Sequence, residues 1–162
     1  MAVELITKAG SPLSSGNFMR LIKSILSDGK LDGCGITASG ANITVSAGRI
    51  VAGGALVVLD STTVTASAAG ELVLRIDTSG EGSASVLARA SATLTKQDIT
   101  GTGTVYELQL ATFGFSGGAV TGLSVKLGTA KPVGATSSPT ITYGTGEPTG
   151  GSDGDIYFKI ES

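Results

Sequence analysis

The side chains of this chain that carry chemistry are few and scattered. The densest polar cluster is Gly150-Gly151-Ser152-Asp153-Gly154-Asp155, two carboxylates around a glycine. That is how a calcium loop begins. An EF-hand-like loop also needs further oxygens and a distal bidentate glutamate at fixed spacing, and Glu161 is at the wrong distance. The cluster therefore reads as turn chemistry, and no metal is expected. Gly101-Thr102-Gly103 and Gly33-Cys34-Gly35 resemble phosphate loops in glycine content only. Neither lies between a strand and a helix, and no Gly-Lys-Ser/Thr follows. The chain has no histidine, so a Ser-His-Asp triad is impossible, and no local pattern supports a Ser–Lys pair. Cys34 is the one cysteine; it can form no intramolecular disulfide and starts no zinc site. It is expected to be a small buried or turn-lining residue. Asn42-Ile43-Thr44 fits the glycosylation pattern, but without a secretory signal it has no meaning. Tyr106, Phe113, Phe115, Tyr143, Tyr157 and Phe158 read as core or hairpin packing, with a sugar-stacking platform at Tyr143 and Tyr157 as the alternative. No catalytic residue and no cofactor are expected, and the chain is not expected to be an enzyme.

What must position so little chemistry is a β-rich body. The 162 residues suit one domain with a small appendage. Aromatics make up 4% of the chain, so Val, Ile, Leu and Ala must fill the core. Charged residues are 15%, against about 25% in an ordinary globular domain. Lys and Arg are scattered singly, which argues against the clustered basic footprint of a nucleic-acid binder. So few charges imply an exterior partly hidden in an oligomer. The N-terminus, Met1-Ala2-Val3-Glu4-Leu5-Ile6-Thr7, has an acidic residue where a signal peptide would be basic. No segment approaches the roughly 18 apolar residues of a membrane span. Synthesis in the cytoplasm without export or membrane insertion is the expectation.

One segment departs from the β pattern. Phe18, Leu21, Ile22, Ile25 and Leu26 recur at helical spacing and form one apolar stripe. The spacing predicts a helix over 14–28, with Gly29 as its C′ residue. Such a helix is marginal alone, so its stripe must pack on the β-domain or on copies of itself. Candidate strands follow at 36–39, 42–46, 49–52, 55–60, 62–66, 71–77, 84–90, 104–112 and 120–126. Ala47-Gly48 reads as a tight hairpin turn. Ala55-Leu56-Val57-Val58-Leu59 is continuously apolar and is expected to be central, covered on both faces. Leu72, Leu74 and Ile76 should point inward. Tyr106, Leu108 and Leu110 alternate with Glu107 and Gln109. The fold class is mainly β: an antiparallel β-sandwich or open barrel preceded by one short N-terminal α-helix, with a C-terminal β-hairpin appendage. The domains are expected at 1–33 (anchor segment and helix), 34–127 (β-sandwich), 128–140 (linker) and 141–162 (hairpin, from the strands 140–143 and 155–160).

The order of these pieces carries a resemblance. A short helix is followed by Gly33-Cys34-Gly35-Ile36-Thr37-Ala38-Ser39 and then Ile43-Thr44-Val45-Ser46-Ala47-Gly48-Arg49-Ile50-Val51. Leu72-Val73-Leu74-Arg75-Ile76-Asp77 and Val105-Tyr106-Glu107-Leu108-Gln109-Leu110-Ala111 come later. Residues 14 to 126 thus resemble a family of tailed-bacteriophage baseplate and tail-fibre-associated structural proteins. The tail, Pro148-Thr149-Gly150-Gly151-Ser152-Asp153-Gly154-Asp155-Ile156-Tyr157-Phe158-Lys159-Ile160, is similar to the ends of phage fibre and appendage proteins. The chain departs from long fibres in having no collagen-like repeat, no heptads and no large receptor-binding tip. The resemblance implies a structural virion protein, assembled in the bacterial host cytoplasm as a homotrimer or ring and contacting other phage structural proteins. The assembly contacts are expected at Phe18, Leu21, Ile22 and Ile25 on the helix and at Tyr143, Ile156, Tyr157 and Phe158 on the hairpin. Two other readings remain open at this point: a receptor- or carbohydrate-binding module at the tail tip, and a capsid decoration or head-fibre protein.

Overall fold

The computed structural model describes residues 15–134, together with two short strands at 141–144 and 156–159. Helix α1 (Ser15–Ile25) comes first. Six short strands follow: β1 (Gly29–Gly33), β2 (Ile36–Ser39), β3 (Asn42–Val45), β4 (Gly48–Ala52), β5 (Ala55–Leu59) and β6 (Thr62–Thr65). They form two antiparallel sheets with orders β1-β4-β5 and β2-β3-β6. Since β1 runs on into β2, β3 into β4 and β5 into β6, these sheets are two halves of one three-stranded layer, bent at 34–35, 46–47 and 60–61.

The second layer contains β7 (Gly70–Asp77), β8 (Ser83–Arg89), β9 (Val105–Ser116) and β10 (Ala119–Val125). It is antiparallel, in the order β10-β9-β7-β8. The inward residues of both layers meet in a single core. Ile43, Val45, Ile50, Ala52, Val57 and Leu59 come from the first layer; Leu72, Leu74, Ile76, Val86, Leu110 and Phe113 come from the second. Over the described residues the fold is a mainly β sandwich with one short helix and no closed barrel. Leu72, Leu74 and Ile76 point inward as the alternation of β7 predicts. Cys34 is buried at the bend between β1 and β2.

Four expectations are corrected. Ala47-Gly48 is not a hairpin turn: β3 pairs with β2 and β6, while β4 pairs with β1 and β5. Gly48 is there because the chain is crowded: a Cβ would stand 2.5 Å from the Asp32 carbonyl oxygen and 2.6 Å from the Cys34 nitrogen. The hairpin lies one strand later, at Gly53-Gly54, where both φ values are positive (59° and 92°), as a type I′ turn requires. Secondly, β5 is an edge strand rather than a central one. Val58 is 73% exposed and Leu56 41%. Its continuous apolar run reflects one buried and one open face. Thirdly, the helix is shorter than expected, and Gly29 opens β1 instead of capping it. Fourthly, β11 (Ile141–Gly144) and β12 (Ile156–Lys159) pair in parallel, Ile141 beside Ile156 and Gly144 beside Lys159. They are therefore not a hairpin, since parallel pairing needs a crossover in place of a tight turn.

Residues 128–133, expected to start a linker, are hydrogen-bonded along β1 and the helix end. The Lys30 amide donates to Gly128 O (2.8 Å), the Ser27 amide to Lys131 O (2.8 Å) and the Val133 amide to Ile25 O (3.0 Å).

Candidate assembly interface

Much of the apolar stripe of α1 is turned away from the sandwich. Phe18, Leu21 and Ile25 are exposed (39%, 46% and 49%), Ile22 is half-buried, and no residue of the helix is fully buried. At about 100° per residue, Phe18, Leu21 and Ile25 share one side, and Gly16, Met19, Arg20 and Lys23 share the other. The second side is the docked one. Met19 packs against the core cluster. Gly54 lets the helix come close: a Cβ there would stand 2.5 Å from the Met19 carbonyl oxygen and 3.0 Å from Lys23 Cβ. Arg20 Nε donates to the Thr100 carbonyl (2.9 Å), and Lys23 Nζ pairs with Asp98 Oδ1 (2.8 Å). An ordinary surface helix buries its apolar stripe and shows its polar side to water. This helix leaves Phe18, Leu21 and Ile25 of its stripe exposed while Met19 and Ile22 are half-buried, and Arg20 and Lys23, although bonded to residues 98–100, are exposed as well.

Its orientation is set by residues 91–104, a strap across the outer face of the four-stranded layer. Two fully buried carboxylates of that face, Glu71 and Glu107, hold the strap. The Thr95 amide donates to Glu107 Oε2 (2.8 Å) and the Ala92 amide to Glu71 Oε1 (3.3 Å). Arg89 bridges the two acids, to Glu107 at 2.9 and 3.1 Å and to Glu71 at 3.1 Å. Arg75 adds a contact to Glu107 (3.2 Å), and Gln109 Nε2 donates to Glu71 Oε2 (2.7 Å). Burial pushes the Glu107 carboxyl up, but the Thr95 amide and the two arginines outweigh it and hold the pKa below the ordinary glutamate value. Among the described residues no buried side-chain nitrogen or oxygen lacks a partner.

The far end of the strap carries the helix. Ile99 and Thr100 are buried. Asp98 accepts from Lys23 and from the Thr100 hydroxyl, and these bonds hold its pKa down to about 2. A second tether lies where the helix joins β1: Asp28 accepts from the Gly53 amide (2.8 Å) and from the Tyr106 hydroxyl. Burial and that bond push the Tyr106 pKa up.

Of the eight contact residues expected from sequence, Phe18, Leu21 and Ile25 form one exposed patch, with Ile22 at its margin. Val133, 55% exposed, stands next in line through its bond to Ile25 O. In β11 and β12 the register sets Tyr143 beside Phe158 and Thr142 beside Tyr157. The side chains of Tyr143, Ile156, Tyr157 and Phe158 lie outside the described residues, as does the acidic cluster at 150–155. Sequence reading missed the docking residues Met19, Arg20 and Lys23 and the strap. The signal was present: Arg20 and Lys23, three apart, lie opposite the stripe. Among the described residues there is no group of three or more potential metal ligands, and no described helix is long and apolar enough to cross a membrane.

No protein-family model matches the chain, and no curated protein sequence matches it.

Proposed function

We propose that this chain is a structural protein of a tailed-phage virion, a baseplate or tail-fibre adaptor that works by packing against copies of itself. One observation carries the assembly part: a helix fastened to its own domain by Met19 and by the bonds of Arg20 and Lys23, with Phe18, Leu21 and Ile25 turned outward. The flanks of that patch suit a like partner. Asn17 and Ser24 border it, and the two charged residues of the helix, Arg20 and Lys23, are turned to Thr100 and Asp98. Two such stripes can meet without like charges facing each other. The spacing of Phe18, Leu21 and Ile25 is that of a coiled-coil seam. The phage part rests on the ordered motifs between residues 14 and 126 and on the tail beginning at Pro148.

Two experiments test the two parts. Sedimentation of the purified chain should give an oligomer that Leu21→Asp/Ile25→Asp reduces in size. Unchanged assembly in that variant refutes the helix contact. Gold-conjugated antibody on particles should label the tail end. Label on the head would make the chain a decoration protein, and no label on any particle would refute a virion role.

A further inference from the structure

The open edge of β5 points to a second self-contact, independent of the helix stripe. We propose that β5 pairs antiparallel with β5 of another copy about a two-fold axis, joining two three-stranded sheets into one of six strands. The hairpin geometry says which groups are free. Ala52 and Ala55 close the two-residue turn, so residues 55, 57 and 59 hydrogen-bond to β4. Leu56 and Val58 then hold their N–H and C=O groups to the open side. No described residue takes them: the backbone bonds outside the strand ladders include none from 55–59.

Natural edge strands are guarded by charge, proline or a bulge. β1 and β10, edges of their own sheets, each carry a register shift, and β8 ends in Arg89. β5, Ala-Leu-Val-Val-Leu, has none of these, and its Leu56 and Val58 are exposed.

A second copy fits by register. Centring the pair on Val57 sets Leu56 opposite Val58 of the second copy and Val58 opposite its Leu56. Each pair exchanges two backbone bonds, so all four outward groups of each strand are used. The two copies' Leu56 and Val58 fall on one face, shielding each other from water. At the ends Asp60 meets Gly54 of the second copy. Beside that glycine stands Lys23, whose Cβ is 3.0 Å from the position a Gly54 Cβ would take. The one acidic residue beside the strand therefore lands near the Lys23–Asp98 pair.

The test uses the Leu21→Asp/Ile25→Asp chain, which removes the helix contact, so the two contacts fail separately. That chain is expected to sediment as a dimer. Adding Leu56→Lys/Val58→Lys should give a monomer, because lysines then face lysines. Mixing it with the Leu56→Glu/Val58→Glu counterpart should restore a dimer. A dimer that survives the lysines, or a monomer before they are added, overturns the proposal. Hydrogen exchange on the unaltered chain gives a reading free of any folding defect. The Leu56 and Val58 amides should be protected like that of Val57; exchange at the rate of open amides refutes the pairing.

Discussion

Leu21→Asp/Ile25→Asp separates folding from assembly because both side chains are about half exposed in the single chain (46% and 49%). Ile22 is less suitable, since it is half-buried and its loss would also strain the fold. Complete burial of a Leu or Ile side chain stabilises by about 1.5–3 kcal/mol. Roughly half of that remains to be gained, so each residue contributes about 1 kcal/mol on association and a pair of copies about 4 kcal/mol. At about 1.4 kcal/mol per decade, losing it raises the dissociation constant roughly a thousand-fold, and the buried aspartates weaken it further. The half of each side chain that its own chain already covers is lost as well, so the folding free energy should fall by about 1–2 kcal/mol. Analytical ultracentrifugation over a dilution series reads the first quantity and urea unfolding the second. An affinity change below about ten-fold with the fold intact would refute the reasoning. A large loss of folding stability would show that the stripe packs within its own chain.

Glu107→Gln keeps the shape of the side chain but leaves Arg75 without its charge partner and Arg89 with Glu71 alone. Breaking a buried pair costs about 3–5 kcal/mol, and the partial exposure of both arginines reduces this to about 2–3; calorimetry should show Tm falling by roughly 5–10 °C. Gly48→Ala drives a methyl into the backbone of Asp32 and Cys34 and should destabilise by at least about 2 kcal/mol in denaturant unfolding. Asp98 has a depressed folded-state pKa, so its contribution is present above the unfolded value of about 4 and is lost as pH falls toward about 2. NMR titration of its carboxyl carbon should show that midpoint, and Lys23→Ala should raise it part of the way to the ordinary value, since the Thr100 bonds remain.

How far the fold could be read from sequence depended on whether a signal was local. The alternation in β7 is local, and Leu72, Leu74 and Ile76 lie in the core as it predicts. The stripe of α1 is local too, and the helix forms. Partner choice is not local. Ala47-Gly48 and Gly53-Gly54 both separate candidate strands, and only the crowding of Gly48 against Asp32 and Cys34 shows that the first is a crossing of packed backbone. The run Ala55-Leu56-Val57-Val58-Leu59 looks the same whether both faces are covered or one is open. Its edge position follows from the order β1-β4-β5, which depends on residues far away in sequence. The site shows the same division. Phe18, Leu21 and Ile25 were legible as a stripe, but its direction is fixed by Asp98 and Thr100, some 75 to 80 residues further on.

That direction has a traceable physical cause. Turning α1 through half a turn would lay Phe18, Leu21 and Ile25 against Gly54, the ordinary arrangement for an amphipathic helix. It would also take Arg20 from the Thr100 carbonyl, Lys23 from Asp98 and Met19 from the core. An exposed ion pair such as Lys23–Asp98 holds a helix only weakly by itself. The strap beneath it is much firmer: Ile99 is seated in the core, and Thr95 and Ala92 are bonded to Glu107 and Glu71. Burying two carboxylates carries a desolvation cost that arginines and backbone amides only offset, and an apolar sheet face would have stabilised the sandwich at least as well. What the charged face adds is a fixed position for residues 98–100, and through them a fixed rotation of the helix. The buried acids are thus two steps removed from the stripe they aim. Glu107→Gln should therefore loosen assembly as well as the fold, and Leu21→Asp/Ile25→Asp should loosen assembly far more than the fold.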